Sequence, residues 1–216
     1  MIPSGPASAK LSAMTSWSGL YIALEGIEGA GKSTVARKVV DVLQASGRTA
    51  LLVREPGGTD AGERIRNILL GVDSTLGAWA EALLFSAARS QLVVEVTGPA
   101  LHEGTIVVSD RSVYSSLAYQ GGGRGLGVEE VRSVNEPGLG GVWPDVVVLL
   151  RVDPTTGLDR QDGADRIGAE GADFQASVAA TFDTLAAAEP ERFIVVDASR
   201  PVDDVVEEIL DRLALP

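Results

Sequence analysis

The stretch Leu24 to Val40, "LEGIEGAGKSTVARKVV", sets three glycines and a lysine between an apolar run and a helical pattern. Lysine is scarce: the chain has only Lys10, Lys32 and Lys38. Gly26-Ile27-Glu28-Gly29-Ala30-Gly31-Lys32-Ser33 fits the spacing G-x-x-x-x-G-K-[ST]. "LYIAL" (Leu20–Leu24) before it reads as a buried strand. After it, Val35, Val39, Val42 and Leu43 recur at helical spacing from Lys32 to about Ala45, and Gly47 offers a stop. In that strand–turn–helix context, backbone N–H groups can turn inward around phosphate oxygens, with the helix dipole behind them. Lys32 then serves as a counter-charge for the β- and γ-phosphates, and Ser33 as a Mg²⁺ ligand. The nucleoside-triphosphate site expected here comprises Gly26, Ile27, Glu28, Gly29, Ala30, Gly31, Lys32, Ser33 and Thr34.

Working outward, the same alternation repeats. "TALLV", "TIVVSD", "PDVVVLLRV" and "RFIVVDA" read as further strands. Helical patterns fall at Ala61–Leu70, Trp79–Val96 and Val202–Leu213. The strands are nearly continuous Val, Ile and Leu, as in a parallel sheet covered on both faces. An α/β three-layer sandwich with a five-stranded parallel sheet is predicted, of the P-loop type. Residues 1–17 read as a loose extension and 18–216 as one domain. Three segments interrupt the pattern: the glycine-rich "QGGGRGLG" (Gln120–Gly127) and "NEPGLGGVWP" (Asn135–Pro144), and the polar "RQDGADRIGAEG" (Arg160–Gly171), read as mobile. Such loops usually sit at the ligand-facing edge of a sheet.

The totals exclude several roles. With 216 residues there is room for one well-buried domain, and a net charge of −12 argues against nucleic-acid backbones and anionic membranes as partners. No run approaches the roughly 18 apolar residues of a membrane span. There are no cysteines, so disulfides and thiolate metal sites are impossible, which fits a cytoplasmic protein.

There is no N-K-x-D guanine reader, and the chain is too short for a motor. A nucleotide or metabolite kinase remains, needing cations to gather a second anion and a means of excluding water. Arg54 follows the second strand, Arg111 the third, and Arg89 lies on the long helix. Asp110, ending an apolar run, is placed to hold Mg²⁺ with Ser33. His102, the only histidine, lies away from the strand ends and reads as structural.

"EGIEGAGKST", "REPGGT…GERIRNILL", "LLFSAARSQLVVEVTGPAL", "DRSVYSSLAYQGGGRGL" and "GVWPDVVVLLRVDPTTGLDR" occur in this order. Together they resemble the bacterial thymidylate kinases, from about Leu20 to Leu213. The resemblance implies ATP + dTMP → ADP + dTDP with Mg²⁺, in a homodimer. It also implies acceptor-site roles: Glu28 at the sugar 3′-hydroxyl, Phe85 stacked on thymine and Arg89 contacting it. Arg54 and Arg111 lie near the acceptor phosphate. Ser116 and Tyr119 face base and sugar with Gln120 beside them, and the Tyr119 ring can favour a missing 2′-hydroxyl. Lys32, Arg111 and lid arginines would share the transition-state charge.

The pattern departs from the family in two places. After the loop acid, where some members carry an arginine, this chain reads Gly29-Ala30, so the loop offers none. The lid, at about 157–171, has only Arg160 and Arg166 amid Asp159, Asp162 and Asp165. Gly168 replaces a common acid, and "FQASVAATF" lacks a frequent arginine, so Arg124 is a candidate helper. The alternatives are a kinase for another deoxynucleoside monophosphate, or a regulatory nucleotide-binding module with a degraded lid.

Overall fold

The computed structural model describes residues 17–71, 74–160, 166–168 and 170–215. Five parallel strands run through its centre in the order β2-β3-β1-β4-β5. They are β1 (Leu20–Glu25), β2 (Ala50–Arg54), β3 (Ile106–Asp110), β4 (Val146–Arg151) and β5 (Phe193–Asp197). β1, β3 and β4 bury almost every side chain, as their unbroken apolar runs require. Each predicted strand is present.

The register positions the site. Leu24 lies opposite Asp110, and Arg54 lies opposite Asp110 on the other side. The chain therefore leaves β1 into the glycine turn at the same height as the acids and arginines that end β2 and β3. This is the carboxyl edge at a switch point, since β1 has β3 on one flank and β4 on the other.

The helices are α1 (Lys32–Ala45), α2 (Asp60–Leu70), α3 (Ala78–Leu92), α4 (Gly98–His102), α5 (Val113–Ser116), α6 (Val128–Leu139), α7 (Pro154–Asp159), α8 (Ala172–Ala188) and α9 (Val202–Leu213). α3 continues through a wider turn at Val93–Thr97 into α4, so the predicted helix ends later than Val96. A similar turn, Leu117–Gly123, follows α5.

Two glycine-rich segments read as loops are partly helical. Gln120–Gly123 completes the turn after α5, and Asn135–Leu139 closes α6 despite Pro137. Their glycines serve close packing. A Cβ on Gly122 would meet Thr181 Oγ1 at 2.0 Å, one on Gly123 the Phe174 ring at 2.7 Å, and one on Gly138 Ser90 Cβ at 2.9 Å. Hence side chains of α8 and α3 pack directly on the backbone at these glycines.

Trp17 belongs to the folded part. It packs on the core, its ring 5.6 Å from His102 in an edge contact. The rest of the expected extension, residues 1–16, lies outside the described residues. So do 161–165 and 169 of the expected lid, including Asp162 and Asp165.

Candidate active site

A cleft of about 1250 Å³ opens along the carboxyl edge of the sheet. It exceeds the 300–1,000 Å³ typical of one small ligand. The phosphate loop forms its floor. Gly31, at φ 86, ends the loop in a left-handed turn and caps α1 without a side chain. By contrast, Thr59 caps α2 by accepting from the Gly62 amide at 3.0 Å. The start of α1 thus offers bare amides, which suits an anion. Gly29, at φ 72, has a second constraint: a Cβ there would stand 1.9 Å from the Gly157 carbonyl of α7. A side chain at position 29 is therefore incompatible with this approach of the lid's entry helix.

Lys32 is buried, and its Nζ donates to the carbonyls of Gly26 (3.1 Å) and Ile27 (2.7 Å). Burial, and then the charge of Arg111, brings its pKa down to about 8. Ser33 Oγ donates to Asp110 Oδ2 at 2.5 Å. A hydroxyl and a carboxylate thus converge beside the loop. These are the hard oxygen donors Mg²⁺ prefers, in a site that leaves most positions to water and phosphate.

Arg111 stands at the centre. Its φ of 74 is uncommon outside glycine, and its amide is held by the Leu24 carbonyl at 3.0 Å. The guanidinium pairs with Glu28, donates to Ser115 Oγ at 3.1 Å and lies 5.0 Å over the Tyr119 ring. Behind it is Glu25, fully buried at the end of β1. It accepts from the amides and hydroxyls of both Ser112 and Ser115, at 2.6–3.0 Å. Sequence reading missed Glu25. The signal was an acid at the end of an otherwise apolar strand.

The opposite wall carries Arg54, Phe85, Ser116, Tyr119 and Gln120, all lining the cleft. Arg54 is half exposed and paired with both oxygens of Glu63 (3.1 and 3.0 Å). Arg89 sits behind this wall, 2% exposed. It donates to Glu55 (2.6 Å), Asn135 (2.5 Å), the Ser112 carbonyl (3.2 Å) and Ser116 Oγ (3.0 Å).

A family model described as thymidylate kinase matches residues 24–209. The chain is 44% identical over 199 residues to the thymidylate kinase of Bacillus pumilus, covering 89% of this chain and 94% of that one. It is 46% identical over 193 residues to that of Bifidobacterium longum (87% and 94%). To that of Leifsonia xyli it is 45% identical over 207 residues (94% and 98%). This chain belongs to the thymidylate kinase family.

The two lid arginines fall in different places. Arg160 lines the cleft and donates to the Ala198 carbonyl at 3.0 Å. Arg166 does not line it. Its Nε donates to the Leu69 carbonyl at 2.8 Å, and its Nη2 pairs with buried Glu81 at 2.7 Å. Bringing Arg166 over the phosphates requires breaking that pair. Arg124, the candidate helper, is likewise engaged by Glu81 and Glu170 and lies 4.8 Å over the Phe174 ring.

Three further residues escaped the sequence reading. Arg37 lines the donor end of the cleft one turn beyond Ser33; the i,i+4 spacing from Ser33 could have found it. Arg200 lines the same end from the loop before α9. Gln175, in the first turn of α8, accepts the Glu28 amide at 3.4 Å, with its Nε2 buried and unpartnered among the described residues.

Proposed function

We propose that the protein transfers the γ-phosphoryl group of ATP to dTMP, giving ADP and dTDP. The observation that carries this is the continuity of one cleft from the phosphate loop to the Phe85–Gln120 wall, with Arg111 between the two ends. ATP lies with its phosphates on Gly26–Thr34 and its base toward Arg160 and Arg200. dTMP lies with thymine against Phe85, Ser116 and Gln120, its deoxyribose against Tyr119 and Glu28, and its phosphate toward Arg54 and Arg111. Arg89 acts from behind by fixing Ser116.

The acceptor phosphate is already ionised, so no strong general base is needed. Catalysis comes from alignment and neutralisation of the transferred group. Lys32 leaves its carbonyl partners for the phosphates, and Arg111 bridges donor and acceptor anions. Arg160 is the lid arginine best placed to help, while Arg166 ties the lid to α3. Ser33 and Asp110 would hold Mg²⁺. The ion neutralises phosphate charge when bound.

Homodimer formation is supported by an apolar surface on neighbouring helices. Ile68 of α2, Trp79 and Leu83 of α3, and Val94 just beyond it are exposed. A cytoplasmic setting suits the nucleotide substrates, and among the described residues no helix is long and apolar enough to cross a membrane. The net charge of −12 speaks against nucleic acid as a partner. The regulatory-module alternative rested on the thin lid and finds no further support.

A coupled ADP assay with dTMP, dUMP, dCMP, dGMP and AMP tests the reading. The highest kcat/KM is expected for dTMP. Equal turnover of all five, or ATP binding without turnover on any, overturns it.

A further inference from the structure

Glu81 does not line the cleft, yet four nitrogens from three side chains converge on it. Its side chain, on the first turn of α3, is 1% exposed. Oε1 accepts from Gln120 Nε2 at 2.8 Å and Arg124 Nε at 3.2 Å. Oε2 accepts from Arg124 Nη2 at 3.1 Å and faces Arg166 Nη2 at 2.7 Å. Burial pushes the carboxyl up, but the donors from Arg124, Gln120 and Arg166 outweigh it and hold it below its ordinary value. The group is a carboxylate and can only accept.

That has a consequence for Gln120, which lines the cleft. A glutamine amide can present either its NH₂ or its oxygen to a ligand, and only its partners decide. Here Nε2 donates an N–H to the Glu81 carboxylate, which cannot donate in return, and this sets the orientation of the amide. Among the described residues nothing donates to Gln120 Oε1. The cleft therefore meets a hydrogen-bond acceptor. We infer that Glu81 is a positioning residue for acceptor-base selection: by fixing the Gln120 amide, it makes the site demand a base with an N–H donor at ring position 3.

The inference rests on the reading that a pyrimidine nucleotide sits against Gln120. Thymine and uracil carry N3–H, whereas N3 of cytosine is itself an acceptor and meets Oε1 lone pair to lone pair. Burial makes such a mismatch costly. Glu81 thus separates thymine and uracil from cytosine but not from each other. The same carboxylate also pairs with Arg166.

Glu81→Gln tests this. Arg124 and Arg166 will claim the new amide oxygen, turning its NH₂ toward Gln120. Gln120 must then reverse and offer Nε2 to the cleft. The dTMP-to-dCMP ratio of kcat/KM should fall on the order of 10–100-fold, the scale of one buried hydrogen bond made or opposed. The dTMP-to-dUMP ratio should stay the same, which loss of packing alone would not produce. Circular dichroism and melting verify the fold. An unchanged dTMP-to-dCMP ratio in folded protein, or a rise, overturns the inference. Gln120→Ala provides a second route should Glu81→Gln not fold. It removes the reader and must lower the same ratio; retention of full discrimination would refute the proposal. Wild-type turnover of dTMP, measured alongside, separates failure of this inference from failure of the underlying reading.

Discussion

The phosphate loop and the acceptor wall face each other across one cleft, and they are built differently. The loop is backbone: consecutive residues, glycine turns, and a close approach of Gly29 to Gly157 that leaves no room for a side chain. The wall is side chain, and it is held from behind by buried carboxylates. Glu25 fixes Ser112 and Ser115, Glu55 fixes Arg89, and Glu81 fixes Gln120. These partners are 34 to 90 residues apart in the chain. A glycine loop recognises what all polyphosphates share, so local geometry suffices. Telling one base from another needs side-chain polarity held rigid, and in a buried setting that takes fixed charges with every donor satisfied.

The sharpest break in this contrast is Lys32→Ala. It removes the loop's counter-charge and should lower kcat about 10²–10³-fold, by analogy with a preorganised oxyanion donor. Circular dichroism should show an intact fold. Retained turnover in steady-state kinetics would return Lys32 to a structural role.

Glu25→Gln attacks the wall instead. An amide oxygen can serve only part of the four donors from Ser112 and Ser115, and its NH₂ confronts the rest. Leaving buried donors unmet should cost about 2–4 kcal/mol of stability, read from chemical denaturation. Unlike Lys32→Ala, this variant should lose stability and turnover together, because Ser115 also carries Arg111. A stable but inactive Glu25→Gln protein would make Glu25 part of the chemistry rather than of the frame.

The smallest effect is a pH dependence confined to the loop. Lys32 with a pKa near 8 is protonated below that value and neutral above it. The neutral amine offers no counter-charge, so kcat/KM for ATP should fall roughly tenfold per unit above pH 8. The dissociation constant of dTMP should change much less over the same range. A flat ATP profile from pH 7 to 10 would place the lysine pKa higher.

What was legible divides along the same line. The glycine loop, the five strands and the run of family motifs could be read because each is contiguous or periodic. α6 could not, since Pro137 and Gly138 carry the signature of a turn. Only the packing of Gly138 on Ser90 explains why glycine stands in that helix. Gly122 and Gly123 misled in the same way: absent side chains signal flexibility in a sequence, but here they admit α8. The family resemblance makes Arg166 a lid arginine sharing the transition-state charge, and nothing local shows that it is held elsewhere in this structure. Its partners, Glu81 and the Leu69 carbonyl, lie 85 and 97 positions away in the chain, beyond any local pattern.

By itself the sequence determined the parallel sheet, the phosphate loop and the family, because backbone geometry and apolar periodicity are written in neighbouring residues. Tertiary structure alone decided which arginines face the cleft and which are bound behind it. It also decided which end of the Gln120 amide is presented there. A buried polar group takes its orientation from the partners that folding brings to it.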